Sequence, residues 1–79
     1  MAHQVTVYST PTCSWCHAAK DHLRAHQVEF ADVDVSVDVE KAREMVKKSG
    51  QYGVPVLDID GEIIVGFDRA RIDALLGIV

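Results

Sequence analysis

The run GVPVLDIDGEIIVG, Gly53 to Gly66, constrains the fold of this chain more than any other stretch. Val56–Ile59 and Glu62–Val65 flank Asp60-Gly61, the dipeptide favoured in a two-residue type I′ turn, so the two segments are predicted to form an antiparallel hairpin. Pro55 stands at the start of the first strand, where its missing N–H is tolerated.

The other elements follow from periodicity. Val5–Ser9 (VTVYS) is β-branched and aromatic and predicts a first strand, which Pro11 and Thr12 break. From Cys13 the spacing turns helical: Cys16, Ala19, Leu23 and His26 share a face, with Lys20, Asp21 and Arg24 away from its centre. That helix is expected to end near His26 or Gln27. Val28–Val35 alternates as a strand, and the alternation runs on to Val39, so periodicity does not fix its end. Ser36 is the expected N-cap of a second helix, with acidic Asp38 and Glu40 following it. This helix should reach about Ser49, with Val39, Ala42 and Val46 inward, Lys47 and Lys48 at its C-terminus and Gly50 just beyond. Asp68 to Leu76 predicts a last helix, with Ile72, Leu75 and Leu76 inward and Gly77 after it. The order is β-α-β-α-β-β-α. The first βαβ unit should pair in parallel through a right-handed crossover, and the hairpin should add antiparallel strands. This α/β layout resembles the thioredoxin fold in its smallest form: a four-stranded mixed sheet with three flanking helices is expected, in a single domain over residues 1–79.

Within 79 residues, 48% hydrophobic, the net charge is −4 and no run of Lys or Arg occurs. A nucleic-acid partner needs a basic footprint and is not expected. No apolar run approaches the length of a membrane span, so no membrane association is expected. The stretch MAHQVTVYS lacks the charged and apolar regions of a secretory signal, so the expected compartment is the cytoplasm. There, thiols are kept reduced and a disulfide is more often catalytic than structural. Two cysteines three positions apart would in any case close too short a loop to staple a fold. The chain is expected to act as a monomer.

Both cysteines fall in TPTCSWCHAAK, Thr10 to Lys20. A Cys-x-x-Cys beside a βαβ pattern suggests thiol–disulfide exchange, Cys-x-x-Cys-His suggests covalent haem attachment, and two Cys with a His suggest part of a zinc site. A haem would make His17 an axial ligand and require a second one, such as Met45 or another His, in an exported protein with an apolar pocket. Structural zinc normally takes four Cys or His ligands, and only Cys13, Cys16 and His17 cluster here. His22 and His26 have an i, i+4 spacing that suits a metal, but also suits polar residues bordering a buried stripe. Exchange chemistry fits the placement best. Cys13 falls where the first strand hands over to a helix, and a helix N-terminus stabilises a thiolate. Cys16, one turn in and facing inward, is placed to resolve a mixed disulfide by attacking the Cys13 sulfur.

With these residues in view the chain resembles a glutaredoxin over nearly its full length. VYSTPTCSWCHAAK is similar to that family's first strand and active-site helix, and GVPVLDIDGEIIVGF to its Val-Pro segment and hairpin. The resemblance implies a cis Val54–Pro55 bond that sets Val54 against the sulfurs, its backbone able to pair with a substrate like an added strand. It implies catalytic Cys13 and Cys16, with Thr12, Ser14, Trp15, Gln51, Val54, Pro55, Gly66, Phe67 and Asp68 binding substrate. It implies protein disulfides or glutathione mixed disulfides as substrates, and no required bound cofactor or metal. Glutathione, as co-substrate, or thioredoxin reductase would then supply the electrons.

The sequence departs from the family pattern at several points. Ser14-Trp15 replaces the usual Pro-Tyr. Some glutaredoxins with Ser at this position bridge an iron–sulfur cluster between two copies with glutathione as co-ligand, which makes a cluster carrier the alternative reading. Thr10 stands where glutathione-binding members commonly carry Lys. Val65-Gly66-Phe67-Asp68-Arg69 lacks one Gly of the usual pair and puts a base at an acidic position. Gln51 is an expected contact for one glutathione carboxylate. Gly66-Phe67 resembles instead the NrdH-type redoxins, which are reduced by thioredoxin reductase and serve ribonucleotide reductase.

Overall fold

A computed structural model describes residues 3–78, so residues 1, 2 and 79 of the expected unit, and with them the start of the N-terminal stretch, lie outside the described residues. The elements are β1 (Val5–Ser9), α1 (Ser14–Ala25), β2 (Ala31–Asp34), α2 (Val39–Ser49), β3 (Val56–Ile59), β4 (Glu62–Val65) and α3 (Arg69–Leu76), in the predicted order. The strands form one mixed sheet ordered β2-β1-β3-β4. β1 runs parallel to β2 and antiparallel to β3, and β3 runs antiparallel to β4. At the hairpin tip Asp60 and Gly61 have φ of 52° and 93°, the two positive values a type I′ turn requires.

Successive strand residues face opposite sides of a sheet, so each strand feeds two cores. Val5 and Val7 of β1, Leu57 and Ile59 of β3 and Ile64 of β4 point one way, under Ala19 and Leu23 of α1 and Ile72 of α3. Tyr8 and Val56 point the other way and meet Met45 of α2. Helices α1 and α3 therefore share one face, and α2 covers the other.

Five local expectations are corrected. β2 spans four residues rather than Val28–Val35, because it is an edge strand and its ladder extends only along Thr6–Ser9 of its single neighbour. Val28 and Phe30 still pack on the core without joining the ladder. Asp38, not Ser36, caps α2: its carboxylate accepts from Lys41 N at 3.1 Å, while the Ser36 N–H and hydroxyl both donate to Asp34 Oδ1 in a turn ahead of the helix. Val39 is then the first helical residue and exposed, and Met45 takes the buried position. On α1, Lys20 is buried and His26 is exposed, the reverse of the expected pattern. The Lys20 ammonium finds a carboxylate beneath the helix, whereas His26 is the C-cap, where the chain leaves it. Asp68 precedes α3 as its cap, with its carboxylate accepting from Arg71 N at 3.2 Å, instead of forming its first residue.

Candidate active site

Pro11 and Thr12 occupy the middle of a turn that Cys13 N–H closes onto the Thr10 carbonyl at 3.4 Å. The turn delivers Cys13 as the N-cap of α1, with φ −91° and ψ 112°. Its carbonyl accepts from His17 N at 3.1 Å, starting the helical ladder. Its sulfur accepts from Cys16 N–H at 3.2 Å, satisfying one of the amides a helix start leaves unpaired. The same sulfur lies 3.8 Å from the Val54 carbonyl oxygen. The Val54–Pro55 bond is cis, as the resemblance implied, and Pro55 is buried. Both cysteines are free thiols; Cys13 is half-buried and Cys16 has no exposed surface. Burial, reinforced by the hydrogen bond with Cys13, pushes the Cys16 thiol up to about 11.

Beneath α1 lies a polar cluster in an otherwise apolar face. Lys20 Nζ donates to Asp32 Oδ2 at 3.1 Å and reaches Ser9 Oγ at 3.5 Å, and Ser9 Oγ donates to Asp32 Oδ1 at 2.9 Å. Burial alone would raise the Asp32 carboxyl, but the hydrogen bonds from Lys20 and Ser9 outweigh it and hold it below the usual range. Lys20 sits four residues after Cys16 on the same helical face, so its positive charge draws the Cys16 thiol down against burial.

Five of the expected binding residues meet. Trp15, Val54, Pro55, Gly66 and Phe67 line one groove of about 250 Å³. Gly66 has φ 82° and donates its N–H to the Pro55 carbonyl at 2.8 Å, which ties the end of the hairpin to the Val-Pro segment. Phe67 stands 6.4 Å from the Trp15 ring, centroid to centroid. Trp15 is 67% exposed, an apolar surface open to a partner. A larger cavity of about 470 Å³, lined by Val35, Val39, Met45 and Tyr52 among others, contains none of the expected site residues.

The remaining expected residues stand apart from this groove. Thr12 and Ser14 are exposed beside Cys13. Asp68 is exposed and occupied as a cap. Gln51 folds onto its own loop, its amide donating to the Gly53 carbonyl at 3.0 Å and accepting from Gly53 N at 2.6 Å. His17 turns back to the Pro11 carbonyl, with Nε2 at 2.7 Å. Among the described residues no group of three or more His, Cys, Asp or Glu converges on a metal position, and no helix is long and apolar enough to cross a membrane. Of the two cysteines only Cys13 has exposed surface, the one sulfur per copy that a cluster shared with glutathione would take.

The sequence reading missed Lys20, whose four-residue step from Cys16 was the available signal. It also missed His22 as more than a border residue. His22 Nε2 bonds Asp73 Oδ1 at 2.6 Å, a pairing across 51 residues that no local pattern announces.

The glutaredoxin family model matches residues 5–64. A glutaredoxin-like 8.6 kDa protein of the rubredoxin operon of Clostridium pasteurianum is 49% identical, covering 91% of this chain and 96% of that protein. Among solved structures, a thioredoxin-like protein superposes with a TM-score of 0.86 at 28% identity, covering 91% of this chain and 99% of that one. The glutaredoxin-like NrdH-redoxin of Escherichia coli superposes with a TM-score of 0.78 at 26% identity, covering 91% and 93%.

Proposed function

The chain belongs to the glutaredoxin family, and from that premise we propose that it is a monomeric dithiol oxidoreductase that reduces protein disulfides in the cytoplasm. The observation that carries this reading is the pair of unlike thiols at one helix start. Cys13 is accessible, capped by an amide and set against Val54, while Cys16 is buried behind it.

In the first step the Cys13 thiolate attacks one sulfur of the substrate disulfide. A Cys13–substrate disulfide forms and the other substrate sulfur leaves as a thiolate. The Val54 backbone offers a place for the substrate's own backbone to align as an added strand. Cys16 then gives its proton to the released substrate thiolate or to water, and its sulfur attacks the Cys13 sulfur. The Cys13–Cys16 bond forms and the second substrate thiolate leaves. Two electrons have passed from the dithiol to the substrate, and an external reductant returns two.

Thioredoxin reductase is the donor we favour over glutathione. The groove beside Cys13 has no charged lining residue to hold a glutathione carboxylate, and the Gln51 amide is already engaged. The similarity to a redoxin whose activity profile is described as thioredoxin-like supports the same choice. The test is NADPH consumption by the oxidised protein, with thioredoxin reductase in one arm and glutathione plus glutathione reductase in the other. Turnover with thioredoxin reductase alone is expected, and turnover confined to the glutathione arm would overturn the choice of donor. Failure to reduce insulin disulfides with a chemical dithiol as donor would overturn the oxidoreductase reading itself.

A further inference from the structure

His22 lies outside the exchange steps above, yet its side chain is only 8% exposed. Its Nε2–H donates to Asp73 Oδ1 at 2.6 Å, joining α1 to α3. One side of the imidazole meets His26 edge-on, at 4.7 Å between centroids. Another meets the Phe67 ring at 5.7 Å with a 60° tilt. Phe67 in turn faces Trp15, and these two rings form the aromatic side of the groove beside Cys13. The backbone of Phe67 is fixed on one side by the Gly66–Pro55 hydrogen bond. Its ring is backed by His22, which does not itself line the groove. An eight-residue helix such as α3 is marginal without packing, so a cross-helix bond at Asp73 helps hold it against α1.

Resting on the oxidoreductase reading, we infer that His22 is a positioning residue: held by Asp73, it fixes Phe67 against Trp15 and so makes the groove select substrates with a large apolar side chain beside the reactive cysteine. The groove lining, two aromatic rings with Val54, Pro55 and Gly66, provides apolar contact and no counter-charge. An acidic or basic neighbour would lose water there without gaining a partner.

The test uses two disulfide peptides that differ only in carrying Phe or Asp next to the reactive cysteine. The parent protein should favour the Phe peptide by roughly tenfold or more in KM, the scale of discrimination in an apolar pocket. His22→Gln keeps a donor for Asp73 but removes the ring behind Phe67. It should lose most of that preference through KM, with kcat close to the parent's. Trp15, the only tryptophan of the chain, should become more open to acrylamide quenching. His22→Phe, which restores a ring without the bond to Asp73, should recover both properties only in part. Should His22→Gln fail to fold, Asp73→Leu, which removes the acceptor that holds the His22 ring at a similar side-chain volume, carries the same KM and quenching expectations. Unchanged peptide preference and unchanged quenching in a folded variant, or a fall in melting temperature alone, would overturn the inference. A parent protein that reduces neither peptide would sink the oxidoreductase reading, while the quenching comparison would still decide whether His22 holds the aromatic wall.

Discussion

The two thiols differ because of where one helix begins. Cys13 is outside the first turn and Cys16 is inside it, against the sheet, with burial driving its thiol to about 11. At pH 7 iodoacetamide should therefore label Cys13 of the reduced protein and spare Cys16. Labelling of Cys16, followed by peptide mass, should climb only as pH approaches 11. Replacing Cys16 by Ser should accumulate a mixed disulfide on Cys13, and a trapped adduct seen only on Cys16 in the Cys13→Ser protein would reverse the two roles. Lys20 adds a further expectation. Its charge eases deprotonation of Cys16, so Lys20→Met should lengthen the life of the mixed disulfide in stopped-flow reduction while leaving its formation nearly unchanged. Much of this was legible from spacing: a Cys-x-x-Cys at a strand–helix boundary already sets one sulfur out and one in. The Lys20–Asp32–Ser9 cluster was not, because a lysine off the centre of an apolar stripe reads as solvent-facing until β2 places a carboxylate beneath it.

Elements with strong local signals matched their predictions, and those fixed by tertiary context did not. Asp60-Gly61 specifies its own turn, so β3 and β4 came out residue for residue. The stretch from the end of β2 to the start of α2 holds several cap-capable residues, Asp34, Ser36 and Asp38, and the sequence alone cannot rank them. The structure uses Asp34 for the turn and Asp38 for the helix. Two substitutions separate these jobs. Asp38→Ala removes the acceptor for Lys41 N and should cost about 1 kcal/mol. In a domain this small that is a fall in Tm of roughly 4–8 °C. Ser36→Ala removes only an exposed hydroxyl contact and should shift Tm by less than half as much. Equal losses would return the cap to Ser36.

At the scale of the molecule, the sheet order assembles the site from pieces distant in sequence. β1 lies between β2 and β3, so the turn after β1 brings Cys13 beside Val54, just ahead of β3. The opposite face is tied by a second polar group. The Tyr8 hydroxyl of β1 donates to Glu44 Oε2 of α2 at 2.5 Å, and Lys48 Nζ of α2 donates to Tyr8 at 2.8 Å and to Asp58 of β3 at 2.8 Å. These contacts set how stability responds to pH. Bonds to Asp58 and Tyr8 raise the Lys48 ammonium above its ordinary value, and burial raises the Tyr8 phenol and the Cys16 thiol. All three groups hold protons more tightly in the folded chain, so their contribution is complete below the unfolded values, about 8.5 for a thiol and about 10 for the other two. It is lost as pH rises through the folded values. On the acid side, the Tyr8 hydrogen bond lowers Glu44, His3 and the Gln4 amide lower Asp60, and Asp32 is lowered by Lys20 and Ser9. Their contribution is present above the usual carboxylate range of about 4 and fades as pH falls below it. Urea midpoints of the reduced protein should thus be nearly flat from about pH 5 to 8 and decline on both sides. Lys48→Met removes one of the three alkaline contributors and leaves Cys16 untouched. Its midpoint should be lower than the parent's at pH 7, and the gap between the two should narrow only once pH rises above about 10, where the unfolded lysine begins to lose its proton. An equally steep alkaline decline in that variant would assign the whole alkaline limb to the buried thiol and phenol, and leave Lys48 as a surface cation with no part in it.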